Sequence, residues 1–537
     1  MHHRLVGVSR LAAAAAAAVI GLVAQFPAAT AAAADARQTY IVVYRSASQV
    51  DRDALSANGH EILSDLGAAG IMIVSSSNPA GLEALPGVTD VADDSQTVQI
   101  PQDSIEVAEG IEGGGGSSCA STTTACGLQW DLARIHVPEA WQTTMGSPSV
   151  KVAVLDTGLN SRHEEVGPNY DVAESKSFVR PSKSCPADKD TFNSIEDFNG
   201  HGTWTATHVA GRNGPLMTGI APNTTLVNVR VLGACGSGTF AGVFSGMFYA
   251  TQIGASVVSM SLGGYVCADR VVPGSPFCSD PHLVKLGRVV QRANSQLVDF
   301  MRDHGTITVA AAGNDHSLMQ QNGRMVGPGL AFRVQGPSPR NDMTGLFELP
   351  AGAHSAVAVA ALNRITAAGS AGQTKFGQYG VGQRDQLTYY SNYGEKIAVS
   401  APGGARNFNV PNFDCLIANC GRLGTSSPAA LDNPGDFGAF GVGCTSCYAF
   451  IQGTSMATPQ VAGVAALALA AHPGMTADAL VRLLQQSVTS FTDPNATPPV
   501  SNDPGSPQFN YDIAYGTDGV SNHLMGTGVI DAALGVR

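Results

Sequence analysis

Between Val150 and Ala360, short apolar runs alternate with longer amphipathic stretches, and this alternation constrains the fold more than any other feature. The runs are Val150-Lys-Val-Ala-Val-Leu155, Leu226-Val-Asn-Val-Arg-Val231, Ser256-Val-Val-Ser-Met-Ser261, Thr306-Ile-Thr-Val-Ala-Ala-Ala312 and Ala356-Val-Ala-Val-Ala360. Each carries one charge at most, so each reads as a strand covered on both faces. Between them, Phe240, Phe244, Met247 and Phe248 make one helical face, and Leu286, Val289, Val290, Ala293 and Leu297 make another. Strands alternating with helices predict an α/β fold with a mostly parallel, doubly wound sheet. Ligands of such sheets sit at the carboxyl ends of the strands.

The flanking segments differ in texture. Residues 1–36 read as a signal peptide. His2, His3 and Arg4 precede an apolar stretch from Leu11 to Val23, and Ala-x-Ala choices follow at Ala28–Ala34. An uncleaved membrane anchor is the alternative, although the stretch falls short of the ~20 apolar residues a span needs. No later segment is apolar enough to span, so the mature protein is expected to have no membrane span. Residues 37–102 read as a small α+β domain: a strand at Gln38–Arg45, a helix over Arg52–Leu66, a strand at Gly70–Ser75, a short helix at Pro79–Leu85, then strand and edge from Gly87 to Ile100. Residues 103–127 include Gly113-Gly-Gly-Gly116 and read as a flexible linker. Residues 128–537 form the main domain.

The formal net charge is −12 and no long basic run occurs, which argues against nucleic-acid binding. Ten cysteines in an exported chain imply disulfides. Cys119/Cys126, Cys267/Cys278, Cys415/Cys420 and Cys444/Cys447 are close in sequence, and Cys185 and Cys235 remain to pair across a longer loop. The four from Cys415 to Cys447 could instead bind zinc, and their connectivity stays open.

Three segments could bring reactive side chains to the sheet's carboxyl edge. Asp156-Thr-Gly158 follows the first strand, Asn199-Gly-His201-Gly-Thr203 precedes a helix through Ala206, Val209 and Ala210, and Gly453-Thr-Ser455-Met-Ala-Thr-Pro459 opens an apolar helical run. A helix N-terminus favours developing negative charge at Ser455, and Pro459 is expected near the helix start, where a missing N–H costs least. A serine hydroxyl needs a histidine to take its proton, and the histidine needs an acid to fix its tautomer. Taken singly, Asp156 could cap a turn, His201 could ligate a metal and Ser455 could be a helix cap.

The order Asp, His, Ser, with these flanking residues, resembles the subtilisin family of serine endopeptidases from about Gln129 to the C-terminus. The resemblance implies Asp156 as orienting acid, His201 as general base and acid, and Ser455 as nucleophile. Asn314 in Ala311-Ala-Gly-Asn314 would donate to the tetrahedral oxyanion together with the Ser455 N–H. Ser261, Leu262 and Gly263 would line one side of the substrate cleft and Gly236, Ser237 and Gly238 the other, with an extended peptide between them. Ala310, Ala311, Ala312 and Gly313 would leave the first pocket open and apolar. His208 and His163 are expected to be structural. Glu165 matches one family calcium ligand, but the loop Arg212–Thr218 is short, so calcium is unassigned and no cofactor is required for the chemistry. The loops 315–353 and 405–447 are longer than usual and have no assigned role.

Residues 37–102 resemble the family's propeptide, an inhibitor and folding aid. The expectation is therefore a secreted, monomeric serine endopeptidase, made as a self-processing zymogen that acts on proteins or peptides. An esterase or amidase using the same serine chemistry is one rival. A binding protein on a dead protease scaffold is another.

Overall fold

The structure, a computed structural model, describes residues 37–100, 104–107, 129–181, 185–212, 217–275, 277–327, 329, 342–364, 384–388, 390–404, 436–439, 444–491 and 524–537. These all belong to the unit Arg37–Arg537. The signal-peptide reading falls on residues outside the described ones, as does the linker reading except at Ser104–Val107, which is a paired strand rather than flexible linker because its backbone groups bond Tyr448–Gln452.

The predicted strands form the middle of a ten-stranded sheet. Its order is Val488–Thr489, Val529–Ile530, Ile397–Pro402, Val357–Arg364, Ile307–Ala311, Val257–Met260, Lys151–Asp156, Thr225–Arg230 and Lys176–Ser177. Arg384–Leu387 pairs alongside Val357–Arg364. Neighbours from Val529–Ile530 to Lys176–Ser177 are parallel. Val488–Thr489 and Arg384–Leu387 are antiparallel. Val152, Ala153 and Leu155 are fully buried, as are Val257, Val258, Ile307 and Val309. Each such Val, Leu or Ile is worth about 1.5–3 kcal/mol on burial. Lys176–Ser177 and Thr225–Arg230, which follow Lys151–Asp156 in sequence, lie on one side of it, and the next strand of this sheet, Val257–Met260, lies on the other. The winding reverses at Lys151–Asp156, and Asp156 is its last residue.

The helices His201–Ala210 and Thr454–Ala471 pack together on one face. Phe240–Gln252 and Pro281–Asp303 pack together on the other. Asp280 starts the longest helix, its Oδ1 accepting from the N–H of His282 (2.8 Å) and Leu283 (3.0 Å), with Pro281 at the first position. Among the described residues, Thr454–Ala471 alone is long and apolar enough to cross a bilayer, and it is buried in the core.

The segment 37–93 departs from the sequence reading at one element. Helix Arg52–Ala57 is short, and Glu61–Leu66 is a strand rather than its continuation. Gly59 at φ 76° ends the helix, and Glu61–Leu66 then pairs with Ile71–Ser76. The result is a four-stranded antiparallel sheet, ordered Glu61–Leu66, Ile71–Ser76, Gln38–Tyr44, Val88–Asp93. Alternation along Gln38–Tyr44 decides its two faces. Tyr40, Val42 and Tyr44 pack with Leu55 and Leu82 into a small core of their own. Ile41 and Val43, with Ile71 and Ile73, join the main core.

Three disulfides are present among the described residues: Cys185–Cys235, Cys267–Cys278 and Cys444–Cys447. The last removes two thiols from the zinc alternative. Cys119, Cys126, Cys415 and Cys420 lie outside the described residues.

Candidate active site

Asp156 and His201 meet at the point where the winding reverses. His201 Nδ1 lies 2.8 Å from Asp156 Oδ1, and both side chains are fully buried. Asp156 Oδ1 also accepts from the Thr157 N–H (2.7 Å), and Oδ2 accepts from the Thr205 hydroxyl (3.1 Å). Both oxygens are thereby held in place. His201 is the first residue of its helix, after Gly200 at φ 103°.

Asp197, which sequence reasoning missed, anchors that turn. Its Oδ1 accepts from the Gly200 N–H (2.8 Å), the Asn199 N–H (2.9 Å) and the Thr157 hydroxyl (2.9 Å). Its Oδ2 accepts from the Thr203 N–H (2.8 Å) and hydroxyl (2.7 Å). One buried carboxylate thus ties the loop after Asp156 to the start of the His201 helix. The signal was present as an acid four residues before a histidine at a helix start.

Ser455 is the second residue of Thr454–Ala471 and is fully buried. Pro459 sits in the second turn rather than at the helix start. It lacks the N–H that would bond the Ser455 carbonyl. The Ser261 hydroxyl donates to that carbonyl instead (2.7 Å), and the Ser455 hydroxyl donates to the Ser261 carbonyl (3.3 Å). On the other side, Asn314 Oδ1 accepts from the Thr454 N–H (3.0 Å) and hydroxyl (2.8 Å), which fixes the amide's orientation next to Ser455. Ser261 and Asn314 follow adjacent parallel strands, so the sheet sets the spacing of the two walls around the serine.

The chain itself lies in the cleft. Thr97–Gln99 pairs antiparallel with Ser237–Thr239, with Gly238 opposite Val98 and Ser237 opposite Gln99. Gln99 exchanges both backbone hydrogen bonds with Gly263 (2.9 and 3.0 Å), and the Ile100 N–H donates to the Gly236 carbonyl (2.9 Å). The backbone of Gly236, Ser237, Gly238 and Gly263 is thus paired with an extended strand of the same chain, and Leu262 is buried. After residues 101–103, Ser104–Val107 pairs antiparallel with Tyr448–Gln452, just before the serine.

The pocket beside Ala311 and Gly313 is not the open, apolar space expected. Glu348, on Leu346–Leu349, opposes Tyr265 in an antiparallel pair. A Cβ added to Gly263 would fall 1.7 Å from Glu348 Oε1, and one added to Gly313 would fall 3.4 Å from Glu348 Cδ. Both glycines therefore face one buried carboxyl group. Burial, then the neighbouring Asp315, pushes its pKa well above the ordinary range, while the Tyr265 hydroxyl partly offsets this. Nothing local in Leu-Phe-Glu-Leu-Pro marks Glu348, which arrives by strand pairing across the long loop 315–353.

His208, His163 and Glu165 make their contacts within the fold. His208 stacks on Trp204 at 3.6 Å between ring centroids, with Nε2 3.5 Å from Asp131. His163 Nε2 lies 2.9 Å from the Cys447 carbonyl, and burial lowers the His163 pKa. Glu165 Oε1 accepts from the Met217 N–H (3.1 Å) and the Tyr448 hydroxyl (2.6 Å). No group of three or more His, Cys, Asp or Glu is positioned for a metal among the described residues.

The sequence profile of the subtilase family matches residues 147–528, well over half of the chain. The chain is a subtilase. An alkaline protease of Alkalihalobacillus alcalophilus is 28% identical over 375 residues, covering 70% of this subtilase and 68% of that enzyme. Thermitase of Thermoactinomyces vulgaris is 28% identical over 341 residues, covering 63% and 81%. In fold, this subtilase is similar to the epidermin leader peptide processing serine protease of Staphylococcus aureus. That match has a TM-score of 0.61 and 18% identity and covers 93% of this chain and 98% of the other. As a member of the family it is a serine-type endopeptidase, acting on proteins or peptides.

Proposed function

We propose that this subtilase is a secreted, monomeric endopeptidase made as a zymogen, in which Asp156, His201 and Ser455 form the catalytic triad. In this reading Ser455 attacks the scissile carbonyl, His201 takes its proton and then returns it to the leaving amine, and Asp156 holds the imidazole. The tetrahedral oxyanion accepts from the Asn314 amide and the Ser455 N–H. Residues 37–102 act as the enzyme's own inhibitor, and calcium is given no role in the chemistry.

One observation carries the reading: two segments of the chain itself, Thr97–Gln99 and Ser104–Val107, pair with Ser237–Thr239 and with Tyr448–Gln452 just ahead of Ser455. Paired backbone at Val98–Ile100 and at Ser104–Val107 is how a peptide substrate would lie across a scissile bond. The reading narrows the self-cleavage point, expected from the sequence between about Thr97 and Ser118, to the stretch from Ile100 to Ser104. A Ser455→Ala variant, purified away from other proteases, is expected to keep residues 37–102 covalently attached, while the unaltered chain is cut. Mass spectrometry of both decides it, and a variant cut at the same bond would mean that an outside protease does the work. Labelling by a serine-directed phosphonate, lost in Ser455→Ala, tests the nucleophile separately.

A further inference from the structure

We propose that Glu348, assisted by Asp315, makes this subtilase select substrates with a cationic side chain, Arg or Lys, immediately before the scissile bond. The inference rests on the proposed reading of the cleft and names the substrate class for it.

Ser455 is held between Ser261, by the paired hydroxyl and carbonyl contacts, and Asn314, through Thr454. A carbonyl attacked by Ser455 lies between those walls. The side chain on the same residue therefore enters between Ser261–Gly263 and Ala311–Gly313. Glu348 closes that space, because both wall glycines face its carboxyl group. Glu348 is 2% exposed, and its Oε2 has no hydrogen-bond partner among the described residues. The Tyr265 hydroxyl acts on both Glu348 and Asp315 and accepts from Asn392 Nδ2 at 3.0 Å. The charged group acting on Glu348 is another acid, Asp315, whose negative charge raises the proton affinity of Glu348. No cation acts on either acid among the described residues.

A buried acid with a second acid beside it and no counter-charge is unfavourable for the empty fold. A guanidinium or ammonium group supplies the missing charge and donors for the unpartnered oxygen. A neutral apolar side chain supplies neither and leaves that oxygen buried and unpaired. The resident strand does not fill the role, since residues 97–118 contain no Lys or Arg; its cut is a single intramolecular event driven by tethering, whereas the acidic pocket selects among separate substrates.

The test uses the full chain, after whatever processing it undergoes, and peptides identical except for Arg, Lys, Gln or Leu before the scissile bond. The Arg and Lys peptides are expected to exceed the Leu peptide in kcat/KM by on the order of 10²-fold. Glu348→Gln, which keeps the shape and removes the charge, is expected to collapse that ratio, mainly through KM, and Asp315→Asn to lower it less. Binding of 4-aminobenzamidine, an arylamidinium, is expected to follow the same order without requiring turnover. A preference for Leu in the unaltered enzyme, or an Arg-to-Leu ratio kept by Glu348→Gln, overturns the inference while leaving the endopeptidase reading intact. If no peptide is cut yet 4-aminobenzamidine binds in a Glu348-dependent way, the acidic pocket stands and the peptidase reading fails.

Discussion

At the residue scale, the candidate site depends on side chains whose orientation is fixed by a second contact. Asn314 is held through Oδ1 by Thr454, so its amide cannot flip without giving up two hydrogen bonds. If it donates to the oxyanion, Asn314→Ala is expected to lower kcat by roughly 10²–10³-fold with little change in KM, because the bond strengthens in the transition state. That size is the one measured for a subtilisin oxyanion donor, and steady-state kinetics on one peptide checks it. Asp156, His201, Asn314 and Ser455 were legible in the sequence because each sits in a short Gly-containing phrase at the carboxyl edge of a predicted sheet. Asp197 and Glu348 were not. Asp197 acts through backbone N–H groups that any carboxylate could serve, and Glu348 reaches the pocket only because Leu346–Leu349 pairs with Gly264–Cys267.

At the element scale, the helix Thr454–Ala471 carries a defect that another strand's end repairs. Pro459 leaves the Ser455 carbonyl without its helical donor, and the Ser261 hydroxyl replaces it. Ser261→Ala is expected to destabilise the protein by about 1–3 kcal/mol, the penalty for a buried carbonyl left unpaired. Pro459→Ala restores an N–H at the required position, so the double variant should recover part of the loss. Denaturant unfolding of the four proteins in a Ser455→Ala background measures the coupling, and additive losses would show that the two residues act independently. The central parallel strands were readable because burial on both faces leaves nearly continuous apolar runs. The peripheral ones were not. Ile397–Pro402 is built largely of small residues, and Glu61–Leu66 is stabilised by its pairing with Ile71–Ser76 rather than by a pattern of its own.

At the scale of the whole molecule, the small N-terminal sheet rests on the helices Phe240–Gln252 and Pro281–Asp303. Gln296 Nε2 donates to the Ala69 carbonyl (2.6 Å), Lys285 pairs with Glu83 (2.6 Å), and Arg292 pairs with Asp90. Asp94 Oδ1 accepts from the Ala241 N–H (3.0 Å) at a helix start of the main domain. Burial raises the Asp94 pKa to about 6, with the Thr239 hydroxyl and Ala241 N–H opposing the rise. An acid whose pKa is higher folded than unfolded, where it is ~3.9, stabilises the fold below the unfolded value. That contribution is lost as pH rises through about 6. In full-length Ser455→Ala protein, adding Asp94→Asn is therefore expected to raise relative stability by roughly 1–2 kcal/mol between pH 4 and pH 7. Thermal melts across that range check the sign, and a constant difference would remove Asp94 from the account. The pairing of Thr97–Gln99 and Ser104–Val107 with the main domain has a kinetic consequence as well. While Ile100 and Ser104 belong to one chain, guest and cleft meet at a tethered effective concentration in the millimolar range, which no dilution can lower. A cut between them replaces that fixed value with an ordinary dissociation constant. Crowded molecules would then remain silent, and the same molecules, dispersing into a larger volume, would switch on by dilution alone.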